Sequence, residues 1–252
     1  MSWQKLKLER VLNNAYGFTD EFDDSTFHDS NVVRVAFRTL GSRKHEHYLN
    51  KWAAKLTRVR GEKFPAGAMT HTEMIIALRP GVYLKASVIK KSYDGKDEKG
   101  NIKWKKGCVH LKKTDPREWQ DQYVFTTLHS DRRDIKRMTE FLVQQNGQDF
   151  NHKAYYANLV VPGGLGVRRY HEELMNKAQP FFCTQFIICG LQCLAEADRD
   201  PRVRSLTPEN SWRRNIWSIN CATSNPNMLY RVLKQSVGVF DDSPLGGAIS
   251  IA

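Results

Sequence analysis

One run constrains the fold more than any other feature: Phe181 to Leu194, where Phe182, Phe186, Ile187, Leu191 and Leu194 lie so close together that the segment is apolar nearly all round. Cys183, Thr184, Gln185 and Gln192 interrupt it, and it stops short of the roughly 18–20 consecutive apolar residues that a membrane span needs. A helix that is apolar on every side has to be buried, so the rest of the chain must supply a surface to bury it against. With 252 residues, 40% of them hydrophobic, the chain can build that surface as one large domain with an extension. Fibrous and fully disordered classes are excluded on the same ground.

The surface is expected to be a sheet. From Phe64 to His129 short runs rich in Val, Ile, Tyr and Thr alternate with turn signals at Arg79-Pro80-Gly81, Asp94-Gly95, Lys99-Gly100-Asn101 and Asp115-Pro116. Strands are predicted over Ala68 to Leu78, Val82 to Lys90, Trp104 to Lys112 and Gln122 to Leu128, the second and third forming a hairpin around Tyr93 to Asn101. After His129 the period lengthens: Ile135, Met138 and Leu142 share a helical face behind Ser130 or Asp131 as N-cap. Tyr155 to Val161 reads as a further strand, Gly163-Gly164-Leu165-Gly166 as a mobile connector, and Arg168 to Gln179 as a helix stopped by Pro180. Asn225 and Pro226 open a short closing helix carrying Met228, Leu229, Val232 and Leu233.

Before residue 62 the sequence suggests a short helix over Trp3 to Leu12, a polar stretch from Gly17 to Ser30, and a basic amphipathic helix on which Tyr48, Trp52, Leu56 and Val59 recur. The expected division is an N-terminal helical extension over 1–61, the main domain over 62–236 and a flexible tail over 237–252. Met1 to Lys5 lack the apolar core of a secretion signal, and five cysteines form no disulfide framework, so an intracellular, cytoplasmic setting is expected.

Cys183 follows Pro180 by three residues and precedes the apolar helix, which puts its sulfur in a helical first turn. Unpaired N–H groups and the positive end of the helix dipole favour a thiolate there, and the thiolate is the nucleophilic form. Cys189 and Cys193 lie deeper in the same helix without that advantage. His71 lies inside the first predicted strand, and the two-residue period puts Glu73 on its face, where a carboxylate can orient an imidazole. For the third polar member Ser87 and Lys85 on the next strand are alternatives to Glu73, although Lys85 would repel an imidazolium. His110 sits in a basic run and is a weaker candidate. The histidine strand Thr70-His71-Thr72-Glu73-Met74-Ile75, the strand Tyr83 to Ser87, Gly107-Cys108-Val109, the opening Phe182-Cys183-Thr184-Gln185-Phe186 and the later Asn225-Pro226-Asn227 with Leu229-Tyr230 together resemble the circularly permuted NlpC/P60 papain-like thiol hydrolases. In that branch the histidine strand precedes the cysteine helix, as it does here. The resemblance covers roughly residues 64 to 235. It implies an α+β, papain-like (permuted NlpC/P60) core whose antiparallel sheet packs on a buried cysteine-bearing helix. It implies further that Cys183 is the nucleophile and His71 its base, acting on amide, thioester or ester bonds of a peptide or acyl-lipid substrate. Members occur in bacteria and large DNA viruses, so a virion-associated location belongs with this reading.

A second class stays open. The formal charge is 39 − 27 = +12, with basic clusters at Arg58 to Arg60, Lys103 to Lys106, Lys112-Lys113, Arg132 to Arg137, Arg168-Arg169 and Arg213-Arg214. Trp104, Trp212 and Trp217 lie among these cations, an interleaving that suits phosphates and bases. A basic protein binding nucleic acid, an anionic membrane surface or an acidic virion partner without catalysis is the alternative. No cofactor motif is present, and Cys189 with Cys193 lacks the second pair a zinc site needs.

Overall fold

The computed structural model describes residues 31–40, 51, 54–55, 68–79, 82–89, 91–96, 98–99, 102–114, 123–153, 155 and 180–242. In chain order its strands are β1 (Val32–Thr39), β2 (Met69–Arg79), β3 (Val82–Val88), β4 (Lys91–Lys96), β5 (Ile102–Lys106), β6 (Val109–Thr114), β7 (Tyr123–His129) and β8 (Val239–Asp242). The α-helices are α1 (Arg132–Gln144), α2 (Cys183–Leu194), α3 (Pro201–Leu206), α4 (Trp212–Asn215) and α5 (Pro226–Lys234). Six strands form one sheet in the order β6-β3-β2-β1-β7-β8, every neighbouring pair antiparallel, with the four-residue β8 at one edge. The mixed α+β class with an antiparallel sheet, expected from the sequence, is the observed one.

The pleat sorts the sheet into two faces. Val33, Val35, Phe37, Met74, Ile76, Leu84, Ala86, Val109, Leu111 and Leu128 share one buried cluster with residues of α1, α2 and α5. Ala36, Ile75 and Phe125, with Tyr83 and Tyr123 against them, belong to the opposite face. All twelve residues of α2 are buried, as its all-round apolar sequence demands. Phe186, Ile187, Ile188, Leu191 and Leu194 are each at 0% exposure, and each contributes about 1.5–3 kcal/mol of transfer free energy. Gly190 allows the close approach: a Cβ there would lie 3.2 Å from Leu142 Cδ2 of α1 and 3.3 Å from Met74 Cε of β2. The caps follow local sequence. Asp131 accepts from the Asp134 N–H at 2.9 Å to start α1, and Asn225 from the Met228 N–H at 3.0 Å to start α5, with Pro226 in the first turn.

Several expectations need correction. β1 falls inside the segment read as a helical extension, yet it pairs with β2 on one side and β7 on the other. The expected strand from Trp104 to Lys112 is two strands, β5 and β6, parted at Gly107 and Cys108; β5 pairs with β4 and β6 with β3. Of the strand expected over Tyr155 to Val161 only Tyr155 is described, and it is helical; the rest lies outside the described residues. The tail is not wholly unstructured, because Val239–Asp242 pairs with β7 from Phe125 to Leu128. The helices expected over Trp3 to Leu12 and Arg168 to Gln179, and the glycine loop at 163–166, lie outside the described residues; of the Tyr48 to Val59 helix only Lys51, Ala54 and Lys55 are described, and they are helical.

Trp212 and Trp217, read from the sequence as faces for stacking, are buried. The Trp217 indole N–H donates to Ala195 O at 3.0 Å. Arg213 is also engaged internally: it donates to Asp198 Oδ2 and Asp134 Oδ2, both at 3.1 Å, to Leu194 O at 3.3 Å and to Ser130 Oγ. One guanidinium thus joins the start of α1 to the end of α2 and neutralises two buried carboxylates.

Candidate active site

β2 carries His71 and Glu73 on the side of its pleat shared with Ile75, and Thr72 between them on the side of Met74 and Ile76. Glu73 is 4% exposed and gathers most of the polar groups around it. Its Oε1 lies 3.2 Å from His71 Nε2 and accepts from Ser87 Oγ at 3.0 Å, and its Oε2 is 3.2 Å from Lys85 Nζ. Arg38 on β1 stands 3.8 Å from Oε1 and donates to the hydroxyl of Tyr123, which itself hydrogen-bonds Glu73. Burial alone would raise the Glu73 carboxyl, but the bond and charge of His71, then the charges of Lys85 and Arg38, hold it far below the ordinary 4.5. Burial and the Glu73 charge push the Tyr123 phenol well up, so it stays protonated as a donor.

The three candidates weighed for the third polar position therefore act together. Glu73 touches the imidazole, Ser87 orients Glu73 while lying 3.5 Å from His71 Nε2, and Lys85 neutralises Glu73 instead of facing the imidazole. Arg38 escapes the sequence analysis because β1 does, and Tyr123, although inside the expected strand Gln122 to Leu128, is placed at the site only by the pairing of that strand with β1. The alternation of Val33, Val35 and Phe37 with Arg34, Ala36 and Arg38 was the signal available.

Cys183 is the first residue of α2, and the residue before it, Phe182, offers no side-chain cap. The N–H groups of the first turn thus keep their positive end for the sulfur. The thiol is 6% exposed and hydrogen-bonded to the His71 imidazole. Two further donors converge on the sulfur: the Thr184 hydroxyl at 3.8 Å and the backbone N–H of Thr72. The second follows from the register, because the β2–β3 ladder ends at Met74↔Ala86 and leaves Thr72 beyond the last pair. Burial would raise the Cys183 thiol, yet the charge and hydrogen bond of His71, with those of Thr184 and Thr72, bring it below the ordinary 9.0. Burial, the largest effect, and the repulsion of Arg38 would lower His71, yet the Cys183 charge together with the hydrogen bonds to Cys183 and Glu73 raises it above 6.5. Each shift favours the thiolate–imidazolium form of the pair.

Other candidates fall outside this constellation. Cys189 is fully buried, and burial and its neighbours Cys221 and Cys193 push its thiol far up, so it is inert. His110 is exposed on β6, where partial burial and the charges of Lys112 and Lys85 lower it. Among the described residues no group of His, Cys, Asp and Glu is arranged to hold a metal ion, and no helix is long and apolar enough to cross a membrane. Comparison with protein-family models, curated proteins and solved structures gave no match.

Proposed function

We propose that the chain is a cysteine-dependent hydrolase or acyltransferase of the papain-like, permuted NlpC/P60 type, with Cys183 as nucleophile, His71 as general acid and base, and Glu73 as the residue that orients His71. The observation that carries this reading is one chain of contacts: sulfur at a helix N-terminus, beside an imidazole that a buried carboxylate holds at Nε2. A small buried hydrophobic cysteine requires none of these partners.

The chemistry follows from the geometry. The Cys183 thiolate attacks the carbonyl carbon of an amide, ester or thioester, and the oxyanion is held by the N–H of Cys183, which has no partner within the helix. Protonated His71 gives its proton to the leaving amine, alcohol or thiol as the carbonyl re-forms, leaving a thioester on sulfur. Neutral His71 then takes a proton from water, or from an acceptor amine or alcohol, which attacks the thioester; sulfur departs as thiolate and the ion pair is restored. Water gives hydrolysis and any other acceptor gives acyl transfer. Peptide and acyl-lipid substrates both satisfy this scheme.

The test is alkylation by iodoacetamide at each cysteine as a function of pH, resolved by peptide mass spectrometry, in wild type and in His71→Ala. Cys183 is expected to react well below its ordinary 9.0, and in the variant to lose at least about tenfold in rate near neutrality, one pKa unit being tenfold in thiolate. Equal reactivity of Cys183 and Cys108 in the wild type, or an unchanged profile in His71→Ala, would sink the catalytic reading.

A further inference from the structure

β2 reaches His71 through an irregularity. Arg38 pairs with His71 and Thr39 with Met69, so β2 spends one more residue than β1 over this step, and Thr70 is the extra one. His71 is the last regular pair beside this bulge, and migration of the extra residue past it would turn His71 to the opposite face of the strand from Glu73. Near it Thr70 Oγ1 donates to Arg38 O at 3.4 Å, and Leu40 N donates to Ala68 O at 2.8 Å. A further tie comes from far along the chain. Asn227, 1% exposed in the first turn of α5, accepts from the Met69 N–H through Oδ1 at 2.6 Å, while its Nδ2 faces Met69 O and Ala54 O, both at 3.5 Å. The carboxamide thus pairs with both backbone groups of Met69 as a strand residue would.

We propose that Asn227 is the positioning residue of the dyad: it locks the register of the bulge and so fixes the face on which His71 stands. The proposal rests on the catalytic reading above for its effect on Cys183, but the register lock can be read without it. Asn225 supplies the control, since its side chain bonds within the same helix, to the Met228 N–H. Three variants are compared, Asn227→Ala, Asn227→Asp and Asn225→Ala, by the pH profile of Cys183 alkylation with iodoacetamide and by amide hydrogen exchange over Met69 to Glu73. Asn227→Ala is expected to lower Cys183 reactivity near neutrality at least about tenfold, one pKa unit, and to speed exchange at the start of β2. Asn227→Asp keeps the acceptor for the Met69 N–H and is expected to retain most of both. Asn225→Ala is expected to leave both within about twofold even where its thermal stability falls as far, because it removes only a cap.

Unchanged exchange over Met69 to Glu73 in Asn227→Ala, or exchange that speeds equally in Asn225→Ala, overturns the lock. Faster exchange confined to Asn227→Ala with an unaltered Cys183 profile overturns the link from lock to dyad. Should wild-type Cys183 show no reactivity below the ordinary thiol range, the catalytic reading fails, and exchange alone then decides whether Asn227 holds the strand. If Asn227→Ala does not fold, Asn227→Asp against Asn225→Ala decides by the same two readouts.

Discussion

Glu73 is placed between two cations and an imidazole, all of which lose their counter-charge if it is neutralised. Glu73→Gln should therefore cost about 3–5 kcal/mol, the range for removing one partner of a buried ion pair. The linkage has a defined sign. The folded-state pKa of Glu73 lies below its ordinary 4.5, so its contribution is complete above that value and lost progressively as pH falls below it. Urea midpoints measured from about pH 6 to about pH 3 should fall in the wild type, and fall less in Glu73→Gln, whose deficit is largest at the upper end. A constant difference across that range would show that the carboxylate makes no charge-dependent contribution. The dyad has the opposite members: Cys183 lowered and His71 raised define a plateau for the ion pair, with reactivity rising as the thiolate forms and the proton donor lost as pH passes above His71. Much of this was legible in the residues. The face shared by His71 and Glu73 needs only the two-residue period, and the Cys183 position needs only Pro180 and the apolar run. The N–H of Thr72 and the guanidinium of Arg38 were not legible, because each depends on where a ladder stops or which strand lies beside β2, and neither leaves a local pattern.

At the scale of elements, α2 is seated by a missing side chain. A Cβ on Gly190 would already crowd Leu142 and Met74 at 3.2 and 3.3 Å, so the larger Gly190→Val should destabilise by about 1–3 kcal/mol through overpacking. The helix would move relative to β2, and Cys183 at its end would move with it. Chemical denaturation together with the Cys183 alkylation profile checks both effects, and an unchanged midpoint would show that Leu142 and Met74 make way freely. Element types were readable wherever one period ran long enough: β2, β3, β7, α1, α2 and α5 lie within a few residues of their expected bounds. The failures have particular causes. β5 and β6 form one continuous run in sequence, and only pairing with two different partners separates them. β8 is four residues among glycines and serines and is a strand because β7 offers it an edge.

For the whole molecule, the central placement of β1 changes what a minimal chain contains. Residues 1–61 read as an addition to a domain, but Val33, Val35 and Phe37, all at 0% exposure, sit between β2 and β7. A chain beginning at residue 62 should fail to fold cooperatively, while one beginning at residue 31 keeps all six strands. Circular dichroism and thermal melts of the two decide this, and a cooperative melt of the shorter chain would refute it. The charge of +12 is likewise less available than it looks: Arg213 and Arg38 are spent inside, on Asp134, Asp198, Glu73 and Tyr123.

The order of parts along the chain has a further consequence for synthesis. The strand bearing His71 is made before the helix bearing Cys183, and Asn227 later still, so the imidazole waits for both its thiol and its clamp. Contacts of such separation form slowly and only once the distant partner exists. A nascent chain would thus carry an incomplete site until Asn227 had been made.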